Sequence, residues 1–357
     1  MRVAIQNPMF LYGDMARNYT GYTVEFARLA KPVIYLPGLK NWLSRGAAFK
    51  YRLQTKSAMF GIRDFDFAFS EAELNRKADV LVCFNGFPYR ELDRPARGFR
   101  GLKVYHAFEF VFRAAEANRW FDWGGVDYLM GYADHWRHSA FFRNTYPRYS
   151  GKMIPVPFGF GARFKGGRAP EERIPKVVAA GAVNPVDDPT VEDRQALADY
   201  REHYRDEQWT HRWRQALREN SGSLHDILDS FLPVPPKTNN HDYDAVEIMR
   251  NYAMFANDEG LMAFPPARTY EGTAAGAVMV ANDHECFRDL GFADGENCIL
   301  HRPLDVDDFR GKVEWYRERP EELRRLAANS TELVWSRYSH RKIAETLFND
   351  IRSKLNS

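Results

Sequence analysis

The chain has 357 residues, 45% hydrophobic and 27% charged, which excludes a disordered or fibrous protein and suits two domains of ordinary size. Its 50 basic and 48 acidic residues leave a formal charge of +2, so no global field marks a dedicated nucleic-acid binder. Three cysteines, Cys83, Cys286 and Cys298, lack metal-ligand spacing, and an odd number argues against a disulfide framework. They read as reduced thiols of a cytoplasmic protein. No leader-length apolar region opens the chain, and no run of about 18 apolar residues predicts a membrane span. Peripheral association with a membrane face stays open.

Short apolar runs alternate with longer amphipathic ones, the pattern of helices packed on a mostly parallel sheet. Arg2–Gln6 predicts an opening strand and Gly21–Ala30 the first helix, with Thr20 as its N-cap. Val33–Leu36 is a second strand. Glu71–Lys77 reads as a helix that leads into strand Val80–Phe84. Leu102–His106, Val126–Tyr132 and Met153–Val156 continue the series. Lys165–Pro175, rich in Gly, Arg, Glu and Pro, reads as an interdomain linker. Val177–Ala180 then opens a second α/β unit with a strand ending at Gly181. The charged and aromatic stretch Thr190–Asn220 predicts one or two exposed helices, either a solvated face or a surface for an anionic acceptor.

After the Pro-rich turn Leu232–Pro236 come a helix at Asp244–Phe255, a strand at Gly260–Phe264 and a helix from about Glu271. Val278–Asn282 and Cys298–Leu300 are further strands, and Val306–Arg319, Pro320–Arg337 and His340–Leu355 are helices. The expected domains are residues 1–164 and 165–335, with a C-terminal helix at 336–357 that could cross back to the first domain.

The segment from Leu261 to Asn282 carries the most chemistry. An apolar run enters a rigid Pro265-Pro266 loop and then a helix N-terminus, whose unpaired amides and positive dipole end suit a diphosphate. Arg268 adds a charge whose planar fork matches phosphate oxygens. Glu271 stands where its carboxylate could accept ribose hydroxyls. Gly272 would admit a ligand close to the backbone, and Gly276 lets the helix pack tightly or end early. The same residues also fit an ordinary strand–loop–helix unit whose small side chains serve packing, and spacing alone does not separate the two readings.

The run R-T-Y-E-G-T-A-A-G-A-V-M-V-A-N, from Arg268 to Asn282, resembles the C-terminal signature of group-1 glycosyltransferases. Gly291–His301 is similar to that family's loop and strand of the type dGeNgll, and Tyr338–Phe348 to its last helix. These matches cover roughly the last 90 residues. More loosely, the stretch I-P-V-P-F-G-F-G-A-R-F ending at Phe164 resembles the segment closing the family's first domain. The resemblance implies an α/β protein of GT-B fold, two Rossmann-like domains facing a central cleft. It also implies transfer of a sugar from a nucleotide-sugar donor to a glycan or lipid-linked acceptor, as in bacterial surface polysaccharide synthesis, with a nucleic-acid acceptor less expected.

Carried over residue by residue, the resemblance makes Arg268, Thr269, Tyr270, Glu271, Gly272 and Thr273 the donor-nucleotide site. Gly13 and Gly21 would belong to a phosphate-facing loop after the first strand. His106, at the end of its strand, and Glu109 just beyond would be catalytic or would position the sugar. Asp134 and His135 occupy an equivalent edge. Two departures stand out: Ala263 replaces the first of the family's paired glutamates, and Gly181–Pro185 lacks the usual Arg and Lys. No cofactor or metal is expected, because no H-x-x-x-H or H-E-x-x-H pair occurs. An epimerase or phosphorylase on the same fold, or a non-catalytic nucleotide-sugar binding module, are the alternatives.

Overall fold

The computed structural model describes residues 1–6, 21–37, 64–84, 94–107, 110–188, 193–234 and 243–357. The chain divides into two compact units, residues 1–156 with 193–200 and 340–357, and residues 157–192 with 201–339. The division falls at Val156/Pro157, eight residues before the boundary expected from the linker composition, and the last helix belongs to the first unit. Among the described residues no helix is long and apolar enough to cross a membrane.

The first unit holds a seven-stranded, all-parallel sheet: β1 Val3–Gln6, β2 Val33–Tyr35, β3 Asp66–Ala68, β4 Val80–Cys83, β5 Leu102–His106, β6 Tyr128–Gly131 and β7 Met153–Pro155. Their order is β3-β2-β1-β4-β5-β6-β7. All four residues of β1 and of β4 are buried, as expected of central parallel strands covered on both faces. Helices Gly21–Ala30 and His340–Asn356 pack together. Phe26, Ile343, Leu347 and Ile351 share one core with Val3, Ile5, Val80 and Val82. Gly21 is the point of closest approach between these helices, since a Cβ there would overlap the His340 imidazole. Packing therefore accounts for this glycine. Thr20 and Gly13 lie outside the described residues.

The second unit holds a five-stranded, all-parallel sheet of β8 Ile174–Ala180, β9 Leu228–Phe231, β10 Tyr252–Asn257, β11 Val278–Asn282 and β12 Ile299–His301. The order β12-β11-β10-β8-β9 puts β9 on one side of the first strand and β10 on the other. Strand order thus reverses between β8 and β10, and the carboxyl ends of those two strands form the switch point where open α/β sheets receive ligands.

Two expectations are corrected in this unit. The helix expected at Asp244–Phe255 ends at Asn251, and Tyr252–Asn257, buried throughout, is the central strand β10. Gly260–Phe264 is a turn rather than a strand, because Gly260 (φ +61°) and Ala263 (φ +55°) adopt left-handed backbone. Nor is Thr190–Asn220 simply a solvated face. Helix Arg212–Glu219 buries Trp213 and Leu217, one turn apart, in the core beside Val177, Met254 and Phe309.

Candidate functional site

Helix Ala267–Ala274 follows β10 and begins four residues earlier than the sequence reading placed it. Pro266 is its N-cap, and Pro265-Pro266 cannot continue a helix backwards, so the first free amides belong to Ala267 and Arg268. The end is as sharply defined. Gly276 (φ +86°) donates to the Thr273 carbonyl and Ala277 to the Gly272 carbonyl, a Schellman motif.

The start at Ala267 decides which side chains face where. Thr269 is buried, and its Oγ1 accepts from Asn257 Nδ2 at 2.7 Å. Thr273 Oγ1 donates to the Thr269 carbonyl at 2.7 Å. Tyr270 is fully buried with its ring 5.2 Å from that of Tyr338. Gly272 lies on β10, where a Cβ would come within 2.7 Å of the Phe255 ring. These four residues, expected at the donor nucleotide, pack the helix on its sheet, where Gly272 makes room for the Phe255 ring.

Arg268 and Glu271, three residues apart, share the remaining face. Neither side chain has a hydrogen-bond partner among the described residues. The Arg268 guanidinium lies over Gly181 (φ +112°) just past the end of β8, where any Cβ would overlap it. Burial and the like charge of Arg214 lower its pKa, while Tyr243, Asp258 and Glu271 pull the other way. Glu271 is 8% exposed. Burial raises its carboxyl to about 7, against the pull of Arg163 and Arg268. Substituting Gly181→Ala is expected to displace Arg268 and, at this φ, to cost about 1–3 kcal/mol. A melting curve matching the unmodified protein would contradict that packing.

Behind Arg268 lies a network that sequence reading missed. Asp258, directly after β10, pairs with Arg214 Nη2 at 2.7 Å and with His211 Nδ1 at 3.4 Å. Burial pushes Asp258 up, but Arg214 and His211 outweigh it and hold the carboxyl well below the usual range. Arg214 Nη1 also donates to the Ala182 carbonyl at 3.0 Å, so a second guanidinium reaches the end of β8 from a distant helix. Glu259 accepts from Asn282 Nδ2 at 3.2 Å, and burial beside Asp258 lifts its pKa to about 7. Only one sequence signal pointed here, the spacing of Trp213 and Leu217, which marks the buried face carrying Arg214 inward.

In the first unit His106 ends β5 and is fully buried, its ring 5.2 Å from that of Tyr132. Burial lowers its pKa to about 3, so it is a neutral imidazole at physiological pH. His135 is also buried and neutral, with Nε2 accepting the Tyr132 amide at 3.1 Å. Asp134 caps the short helix that follows. These two residues have structural work, whereas Glu109 lies outside the described residues. Among the described residues, no three His, Cys, Asp or Glu side chains form a group able to hold a metal ion.

Residues 228–349, which include Arg268 and Glu271, match a family model described as glycosyl transferase-like. A search of curated proteins by sequence found no match. Among solved structures, HepE of Anabaena in complex with UDP and glucose is similar at a TM-score of 0.57 and 11% identity, covering 99% of this chain and 100% of that one. A glycosyltransferase from Rickettsia africae is similar at a TM-score of 0.53 and 8% identity, covering 100% of this chain and 99% of that one. At such identities the likeness is one of fold: the two parallel sheets are those of the GT-B architecture. The chain resembles the group-1 glycosyltransferases.

Proposed function

We propose that this protein transfers a sugar from a uridine diphosphate sugar to a hydroxyl of a glycan or lipid-linked acceptor. The observation that carries the reading is the pair Arg268 and Glu271. A guanidinium and a buried carboxylate, neither with a hydrogen-bond partner among the described residues, stand on one helix face at the switch point of a parallel sheet. Such a pair suits a ligand that completes it. A nucleoside diphosphate supplies both complements, phosphate oxygens for Arg268 and ribose hydroxyls for Glu271. The family model over 228–349 and the UDP in the HepE structure support that choice.

Chemically, the acceptor hydroxyl oxygen forms a bond to the anomeric carbon while the bond from that carbon to the diphosphate breaks, and the hydroxyl proton passes to the departing diphosphate. Charge develops on the departing diphosphate, where Arg268 and the amides of Ala267 and Arg268 are preorganised to receive it. In this proposal those groups replace a metal ion, and Arg214 backs Arg268 where the family would carry its Arg and Lys. His106 and Glu109 stay the acceptor-side proposal. Burial lowers the pKa of His106 to about 3, which makes its imidazole a weak base, so its role there is to orient a hydroxyl rather than to take its proton. A cytoplasmic location at a membrane face, and a place in surface polysaccharide synthesis, belong to the same proposal.

The test is to incubate the protein with radiolabelled UDP-glucose and a panel of glycan and lipid-linked acceptors. Acceptor-dependent release of UDP with labelled product is expected. Conversion of the donor without acceptor would indicate an epimerase, and dependence on inorganic phosphate a phosphorylase. Saturable UDP binding without turnover across the panel would indicate a binding module.

A further inference from the structure

In the second unit, helix Val306–Arg317 carries glycine at an exposed interior position, Gly311. Glycine is, after proline, the poorest helix former, so an interior glycine needs a reason. Packing is not that reason, because a Cβ at Gly311 would meet nothing within 4 Å. One turn further on stands Trp315, 44% exposed. Arg319 lies over its ring at 4.3 Å, and the edge of Tyr316 abuts it. A helical side chain leans over the turn N-terminal to its own Cα, so Trp315 overlooks position 311. With no side chain there, an open groove of about 390 Å³ runs past both residues, lined also by Arg302, Asp307, Asp308 and Lys312. Asp307, Gly311 and Trp315 fall on one row of the helix, a track about 12 Å long.

The electrostatics of this groove narrow its occupant. Arg302 pairs with Asp305 at 3.0 Å, and its backbone amide donates to Asp308 at 2.7 Å. Lys312 pairs with Asp294 at 2.8 Å. Asp307 alone has no partner among the described residues, so the track offers no uncompensated cation to an anion. What remains is an indole covered on one face by Arg319, a gap beside it and a carboxylate that accepts hydrogen bonds from hydroxyls. We infer that this groove is a glycan-binding site separate from Arg268 and Glu271, in which a neutral pyranose ring stacks on Trp315 across Gly311 and its hydroxyls donate to Asp307.

Saturation-transfer NMR on the full chain, with UDP present, tests this using maltohexaose, cellohexaose and chitohexaose as separate probes. At least one is expected to bind, and binding should be lost in both Trp315→Ala and Gly311→Leu. The leucine fills the gap on an exposed helix and removes no contact, so it keeps the assay interpretable if the tryptophan variant folds poorly. Calorimetric UDP binding should be unchanged in Gly311→Leu and about 10- to 100-fold weaker in Arg268→Ala, which should keep the oligosaccharide. The inference is overturned if none of the three sugars binds, or if binding survives both groove variants. Failure of UDP binding with glycan binding intact would instead count against the donor site.

Discussion

Replacing Arg268 with alanine is expected to weaken UDP binding by about 10- to 100-fold, the value of a charge-assisted contact to phosphate. The same change should leave the melting temperature of the ligand-free protein unchanged or raise it. That pairing follows from the site. Arg268 makes no hydrogen bond within the described protein, and removing it relieves repulsion from Arg214 while giving up attraction to Asp258 and Glu271, so the two effects offset. A structural arginine would behave in the opposite way, lowering stability first and affinity only as a consequence. Arg268→Lys should recover part of the affinity, since an ammonium keeps the charge but not the planar fork. Calorimetric titration with parallel thermal melts checks all three outcomes. Unchanged UDP affinity in Arg268→Ala would remove this residue from the site.

The second large effect concerns pH. Glu271 has its carboxyl raised to about 7 by burial. Between the unfolded value and that value the native state holds a proton that the unfolded chain has already lost. The stabilisation is therefore complete below about pH 4.5 and disappears as pH rises through 7, by up to about 3 kcal/mol. Glu259, raised for the same reason and by Asp258, acts in the same direction. Glu271→Gln should abolish its share, so that the variant is more stable than the parent at pH 8 and alike at pH 4. Affinity for UDP has the opposite dependence in the parent, because only the ionised carboxylate accepts both ribose hydroxyls. UDP binding should tighten from pH 6 to pH 8, and Glu271→Gln should flatten that rise and weaken binding at pH 8 by about tenfold. A parent protein with pH-independent affinity and stability over this range would contradict the assignment.

Most of the sheet framework could be read from short apolar runs, because central parallel strands are buried on both faces and show as unbroken hydrophobic segments. Two strands have no counterpart in the sequence pattern: β3 is only three residues long, and in β9 Asp229 and Ser230 interrupt the apolar run. Strand β10 was read as the end of a helix for a different reason. Helix Ala245–Asn251 runs into Tyr252 without a glycine or proline, so the apolar residues seemed to continue one periodic segment. The apolar run at Gly260–Phe264 then looked like the missing strand, although left-handed Gly260 and Ala263 make it a turn.

Within the candidate site, Arg268 and Glu271 stand on the open face of the helix, whereas the side chains of the other residues expected at the donor brace it. The difference is the helix start. Once Pro266 caps it and Ala267 begins it, the 3.6-residue period sends Thr269, Tyr270 and Thr273 inward and leaves Arg268 and Glu271 on the other face. Arg214, Asp258 and Gly181 were invisible as partners, because they converge from three separate elements. No local pattern records that Arg214 reaches the Ala182 carbonyl.

The most direct measurement compares UDP with uridine, titrated into the same preparation by calorimetry. Diphosphate recognition by Arg268 and the helix amides predicts that UDP binds and that uridine binds at least about 10-fold more weakly. Arg268→Ala should narrow that gap while leaving uridine affinity unchanged. No UDP binding, or equal affinities for the two ligands, would contradict the proposal that this helix holds a nucleoside diphosphate.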